Sequence, residues 1–419
     1  MKKYIIIIGE EYWFEVKGEY KWKGKKYTKN YRAATYLLDT LKNNNSKYEY
    51  IILNGPTAFV ENVNSIGKDK IKEIFFFHDV FSDSILNKMN IMEMKRFLLN
   101  LQNDYGIYLY PGIKKTMLFG SKEYYKTLIN NMPYSVLPDS KVYSFKNYQG
   151  YKDENIITNK LYTTAKYLLD KYQKVVIKKG FSYEGKQVKV IDKDLIFDFY
   201  DFKDIARKLN TKHFWNIKSS AIDMDIGIDR HYIIQPYNEI VVDKLNEFRV
   251  FFYNGHAKYI TWKTDFDNLC VNDIENIDDN ITLSNDKRYI YKVYDAEGNQ
   301  VDDERITKEF NKKLLIEVLR FSKKVYNDFL PFFWKKKGHP ILFRTDISYA
   351  INPIFMDKFS VNIEGMDSKV RFYVNELEID PTNFFYNNTI CKKNEKITSK
   401  YLEILYGELI NNYIKNNIF

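Results

Sequence analysis

Residues 374–383 read VNELEIDPTN, a strand-like run with acids at Glu376, Glu378 and Asp380 that stops at Pro381. Side chains alternate between the faces of a strand, so the three acids share one face. Carboxylates held that close repel one another and lose hydration if they are buried. Such a face is therefore either fully open to water or turned toward a cation. A protein that makes this choice near its C-terminus must supply a sheet to carry the strand and a reason for the charge.

The rest of the chain supplies ample material for a core. It has 419 residues, 45% hydrophobic and 17% aromatic, with only 9 Pro and 17 Gly, which excludes a linker-dominated or disordered chain. Two or three packed subdomains fit that length. The formal net charge of +10 favours an anionic partner. The basic residues are scattered without a block, so nucleic acid is not expected as that partner. Cys270 and Cys391 are far apart and form no metal-type pair, which suits a reduced, cytoplasmic setting. The N-terminal apolar run, Tyr4 to Ile8, is too short for a signal peptide or membrane span and reads as a buried strand.

Apolar runs at 4–8, 50–53 and 74–77 alternate with helical patterns at 31–41 and 92–101. That order predicts an α/β layer over residues 1–113 with a mostly parallel sheet. GIYLYPGI (106–113) reads as a further strand ended by Pro-Gly. A loop, a short helix at 122–130 and a longer helix at 158–172 follow. Then KVVIKKGFSYEGKQVKVI (174–191) reads as strand, loop, strand. Beyond an amphipathic stretch at 202–209, YIIQPY is a strand broken by Pro236, and FRVFFYNGHAKYITW is a hairpin turning at Asn254-Gly255. Residues 265–300 form an acidic, Asn-rich surface excursion. A helix at 307–329, the strand PILFRTDISYA, the acidic strand and a closing helix at 399–414 complete the chain. No internal repeat is present.

Four separated pieces can serve one ligand. Lys178 and Lys179 end a strand before a small-residue loop with Gly180, Ser182 and Gly185, a combination that can cover phosphates with an ammonium and backbone N–H groups. No P-loop motif is present, and a basic surface hairpin would look the same. In IIQPYNEI, Gln235 and Tyr237 flank a proline that leaves backbone groups unpaired for a base edge, and Glu239 can accept from ribose hydroxyls. A plain edge strand with a proline has the same sequence. Arg249 projects from a strand whose other face is apolar, as a phosphate or carboxylate clamp does, or as half of an ion pair does. Arg344 and Asp346 share a face of their strand. If that strand neighbours the acidic one, Asp346, Glu378 and Asp380 offer oxygen ligands to Mg²⁺; the alternative is a solvated acidic edge.

Taken in order, these pieces resemble the ATP-grasp superfamily from about Lys114 to Asn383. VVIKKGFSYEG is similar to the family's lysine strand and phosphate-covering loop, with Lys179 where proline is usual and fewer glycines than usual. KEYYKTLINNMPYSVLPDS is similar to the preceding segment, whose helix lysine reaches phosphate: Lys126 is the first choice and Lys122 the reserve. IIQPYNEI resembles the adenine hinge, EFRVFFYNG the arginine hairpin, RTDI the metal aspartate strand and ELEIDP the last metal strand, with Asp380 where asparagine is usual.

The resemblance implies an ATP-grasp fold, α/β and α+β, with a Rossmann-like first layer (1–113), a lysine and phosphate-loop subdomain (114–236) and an Mg-binding subdomain (237–419). It also implies ATP and Mg²⁺ as cofactors, held by Lys126, Lys178, Ser182, Gln235, Tyr237 and Glu239 for the nucleotide and by Asp346, Glu378 and Asp380 for the metal. Arg249 and Arg344 would orient an acyl phosphate. The implied reaction is ATP-dependent joining of a carboxylate to an amine, and the positive net charge points to an acidic peptide or protein as substrate. The alternative is an ATP-binding assembly factor like the cell-division-cycle 123 family, whose hairpin NEFRVFF resembles. Against it stand the extra first layer and the lack of that family's tryptophan-rich motifs. The five histidines show no ligand spacing and receive no role.

Overall fold

Four consecutive isoleucines, Ile5 to Ile8, are fully buried, so both faces of their strand must be covered. The covering is a doubly packed parallel sheet. Its strands run in the order Tyr48–Asn54, Lys3–Gly9, Ile71–Phe76, Tyr108–Tyr110, each pair parallel. Ile6, Ile8, Ile74 and Phe76 pack against helices Phe59–Ile66 and Ile91–Asn103. Ile5, Ile7, Phe75 and Phe77 pack on the other side with Leu37 and Leu41 of helix Thr35–Asn44. The structure, a computed structural model, describes residues 3–9, 20–22, 25–27, 35–44, 47–54, 59–77, 80–81, 89–181, 188–195, 198–210, 226–238, 247–263, 268–272, 293–294, 300–301, 304–334, 339–350, 360–363, 366–379 and 399–417. Among them no helix is long and apolar enough to cross a membrane.

The closing helix, Ser399–Asn417, packs against the first layer. Tyr406, Ile410 and Ile414 join the core beneath helix Thr35–Asn44. The two helices meet closely at Gly407, where an added Cβ would lie 2.8 Å from Thr40 Cβ and 3.3 Å from the Leu37 carbonyl. Helix propensity favours replacing this glycine by about 0.5 kcal/mol, whereas overpacking costs about 1–3 kcal/mol. Packing wins, and Gly407→Val is expected to lower the urea midpoint. An unchanged midpoint would mean that the helices do not meet there.

Among the described residues two larger antiparallel sheets follow the first layer. One runs Lys141–Phe145, Arg230–Pro236, Lys174–Lys179, Val188–Asp192. Tyr232 and Ile234 point outward, into a core shared with helices Tyr151–Leu169 and Phe199–Asn210. Ile233 points the opposite way and joins the core of the other sheet. Lys178, its cross-strand partner, shares that inward face.

The second antiparallel sheet has six strands, in the order Asn268–Asn272, His256–Lys263, Glu247–Tyr253, Leu342–Ala350, Met366–Ile379, Ser360–Ile363. Phe248, Val250, Phe252, Phe343, Ile347 and Phe372 bury one face against helix Glu304–Phe329. Alternation leaves Glu247, Arg249, Arg344 and Asp346 on the other face. The hairpin turns at Asn254 (φ 44°) and Gly255 (φ 93°), the left-handed pair a two-residue turn needs.

The α/β and α+β fold class anticipated from the sequence is present. One local expectation is corrected: residues 114–120, taken as loop after a strand ending at Ile113, belong to helix Ile113–Gly120. The Gly112 carbonyl accepts from Lys115 N and Thr116 N to start it, and Ile113 and Phe119 are buried along it. Much of 265–300 and the loop 182–187 lie outside the described residues.

Candidate active site

A bulge at Asn375 decides where the acids go. Strands Leu342–Ala350 and Met366–Ile379 pair Ile347 with Val374 and Asp346 with Glu376, so Asn375 is the extra residue on its strand. Before the bulge the even positions, Phe372 and Val374, are in the core; after it the odd position Leu377 is. A straight strand would have sent Glu376 and Glu378 into the hydrophobic core behind Phe372 and Val374. The bulge turns them onto the face of Arg344 and Asp346 instead, as bulges beside functional sites do.

There Asp346, Glu376 and Glu378 each offer an oxygen, all within 4.8 Å of one another. Three carboxylate oxygens so spaced suit a hard divalent cation, since Mg²⁺ takes oxygen ligands at about 2.0–2.1 Å. Asp346 is fully buried, while the Glu376 and Glu378 side chains are 30% and 34% exposed, which leaves an approach from solvent. Burial and the charge of Glu247 raise Asp346's pKa, against the pull of Arg344. Glu378 is also raised, by burial and by the charges of Glu376 and Asp346 beyond what Arg344 offsets. Glu376 goes the other way: burial would raise it, but the Lys122 ammonium holds it well below the usual carboxylate range.

Each acid has a cation beside it, and Asp346 and Glu378 share one. Arg344 forks onto Asp346, donating from Nε to Oδ1 at 2.6 Å and from Nη2 to Oδ2 at 2.8 Å. The same Nη2 lies 2.8 Å from Glu378 Oε1. Arg249 Nε donates to Glu247 Oε1 at 3.1 Å and stands 3.8 Å from Asp346 Oδ2. Lys122 donates to Glu376. Arg344, expected to face substrate, is thus engaged in orienting two of the acids.

Lys178 meets the cluster from the opposite sheet. Its Nζ donates to Asn375 Oδ1 at 2.6 Å, and Asn375 Nδ2 donates in turn to Glu247. Burial, with Lys122 nearby, brings the Lys178 pKa down to about 8. Lys126, the first choice for a helix lysine, donates to Glu123 at 3.2 Å. The lysine that reaches the acids is Lys122, because its turn between helices Ile113–Gly120 and Tyr124–Asn130 is tied to the acidic strand. Tyr124 Oη accepts from Leu377 N at 3.0 Å, and Tyr125 Oη donates to the Asn375 carbonyl.

At the broken strand, Gln235 is buried and donates to Ser140 Oγ at 2.9 Å. The Tyr237 N–H is taken by the Lys174 carbonyl at 3.0 Å. Asn238, which had no part in the sequence reading, donates to the Tyr349 carbonyl and to Tyr373 Oη at 2.8 and 2.9 Å. It thereby pins the end of the broken strand to the six-stranded sheet. Ser182, Glu239 and Asp380 lie outside the described residues.

No protein-family model matches the chain, and neither does any curated protein. Among solved structures it is similar to D-cycloserine synthetase DcsG, at 12% identity and TM-score 0.49 over 98% of this chain and 99% of that one. It is also similar to D-alanine–D-alanine ligase from Bacillus anthracis, at 11% identity and TM-score 0.42 over the whole of both chains. The ATP-grasp ligase PsnB, complexed with minimal precursor, follows at 10% identity and TM-score 0.39, over 96% of this chain and 98% of that one. At such identities the chemistry rests on this chain's own side chains.

Proposed function

We propose that the chain is an ATP- and Mg²⁺-dependent ligase of the ATP-grasp type, which activates a carboxylate as an acyl phosphate and joins it to an amine. One observation carries the reading: a half-buried lysine on one sheet, Lys178, reaches the strand that presents Asp346, Glu376 and Glu378 from the next. Cations and carboxylates that converge from two sheets suit a triphosphate and its metal.

Mg²⁺ would be held by Asp346, Glu376 and Glu378, with Asp380 as a further ligand. When bound it would supply positive charge to the phosphate oxygens. Lys178 and Lys122 would bind the phosphates, the nucleotide lying against Gln235, Tyr237 and Glu239 with Ser182 over its phosphates. Arg249 would orient the carboxylate substrate, whose oxygen attacks the γ-phosphorus and expels ADP. The amine then attacks the acyl carbon, phosphate leaves and the amine loses a proton. Such a path needs placement and charge compensation rather than a side-chain nucleophile. The net charge of +10 favours an acidic peptide or protein as the substrate.

ATP with Mg²⁺ should raise the melting midpoint, by the equivalent of about 2.7 kcal/mol at a hundredfold excess over Kd. Glu378→Gln should remove the Mg²⁺-dependent part of that shift. ADP release should require both a carboxylate and an amine. ATP binding without ADP release, across a panel of amino acids and acidic peptides, would sink the ligase reading and favour an ATP-binding factor.

A further inference from the structure

Lys122 and Lys178 face the same strand but are held differently. Lys178 donates to the neutral amide oxygen of Asn375, so an arriving phosphate would displace only a hydrogen bond. Lys122 is ion-paired with Glu376, its side chain only 10% exposed. Its backbone lies in the left-handed region (φ 59°), where residues other than glycine are held only by their surroundings. The surroundings here are definite. Lys122 N donates to the Phe119 carbonyl at 3.0 Å, Glu123 N to the Leu118 carbonyl at 3.1 Å and Tyr125 N to the Lys122 carbonyl at 3.2 Å. The bonds of Tyr125 and Tyr124 to Asn375 and Leu377 bracket Glu376 on both sides.

The charges follow a matching pattern. Asp346 and Glu378 share Arg344, and Glu376 has Lys122. Arg249 lies between Glu247 and Asp346, and Lys178 reaches Asn375 beside them; four cations thus face four carboxylates, and the cluster is compensated without a metal. A bare divalent ion would add two charges to a balanced, largely buried site. An ion that arrives with a triphosphate brings net negative charge and gives the displaced ammonium a new partner.

We propose that Lys122 is a stand-in cation: in the nucleotide-free protein its ammonium occupies the third carboxylate of the metal site, excludes a divalent ion, and exchanges onto phosphate only when metal and nucleotide arrive together. The proposal rests on the reading of Asp346, Glu376 and Glu378 as a divalent-ion site. Metal and nucleotide binding are then coupled through one side chain, and by linkage the coupling is reciprocal.

The test is Mn²⁺ titration of the full chain, followed by the paramagnetic resonance signal of free Mn²⁺, with and without a non-hydrolysable ATP analogue. Without nucleotide, Lys122→Met should bind Mn²⁺ about tenfold or more tightly than the wild type, a size typical of changes around metal ligands. Lys122→Met combined with Glu376→Gln should lose that gain. Equal Mn²⁺ binding by wild type and Lys122→Met, with the ion still recruited alongside the analogue, would overturn the exchange and leave the metal site standing. No Mn²⁺ binding by either protein, with or without the analogue, would overturn both. A second arm covers a Lys122→Met chain that fails to fold. Glu376→Gln frees the same ammonium from the other side and should bind the analogue in EDTA more tightly than Glu378→Gln, which also replaces one carboxyl group of the cluster but leaves Lys122 paired. Equal affinities in that arm would also overturn the proposal.

Discussion

Asp346→Asn is expected to abolish the Mg²⁺-dependent stabilisation by ATP, to lower turnover by roughly 10²–10³-fold, and to cost about 3 kcal/mol of stability even without ligand. Asp346 is buried and accepts both arms of Arg344, at 2.6 and 2.8 Å, with Arg249 3.8 Å away. Asparagine keeps the shape and one acceptor, so the fork loses its charge and half its geometry. Arg344 is left with Glu378 and Arg249 with Glu247. Breaking a buried pair by removing one charge costs about 3–5 kcal/mol because the remaining ion is uncompensated; the surviving hydrogen bond puts this case at the low end. Two readouts separate the two roles. The urea midpoint of the apo chain reports the lost ion pair, and the further shift on adding ATP and Mg²⁺ reports the lost ligand. A variant that loses stability but keeps its full Mg²⁺-dependent shift would reduce Asp346 to a structural partner of Arg344.

The placement of that site was partly written in the sequence. Alternation in FRTDISYA put Arg344 and Asp346 together, and the acids at alternate positions marked a shared face. The strand neighbourhood that brings Asp346 opposite Glu376 follows from pairing across residues distant in the chain, and no local pattern states it. The bulge at Asn375 does leave a trace in the sequence: the buried apolar residues change parity, from Phe372 and Val374 to Leu377. A parity change inside one strand is what an inserted residue produces, and it would have placed Asn375 in the cleft beside the acids. Helical spacing says nothing of a turn residue at φ 59°, so the sequence does not mark Lys122 ahead of Lys126. The docking of helix Ser399–Asn417 on the first layer depends on close approach at Gly407, again a long-range fact. Asn238 pins the broken strand through a buried amide that resembles any other loop asparagine until its partners are known.

A second large effect is expected far from the acids, at Glu73. This residue sits in the middle of strand Ile71–Phe76, 1% exposed, beside Ile5 on the neighbouring strand. It shares the face of Phe75 and Ile5, over which helices Thr35–Asn44 and Ser399–Asn417 pack. Its Oε2 has no hydrogen-bond partner. Burial pushes its pKa up to about 8, against the opposing charge of Lys72. The carboxyl is therefore neutral in the folded protein at pH 7, whereas in the unfolded chain it ionises near its ordinary value. The folded state holds the extra proton between those two limits, so stability falls as pH rises through the window. The slope reaches about 1.4 kcal/mol per pH unit, and the whole loss from about pH 4.5 to pH 8 amounts to about 4–5 kcal/mol. Glu73→Gln keeps the shape and cannot ionise. Its stability, read from urea unfolding, should match the wild type at pH 4 and exceed it increasingly at pH 7 and pH 9, by about 4 kcal/mol at the upper end. Parallel profiles for the two proteins across that range would mean that Glu73 ionises freely in the folded layer, and the tight packing of the closing helix over that face would then have to be given up.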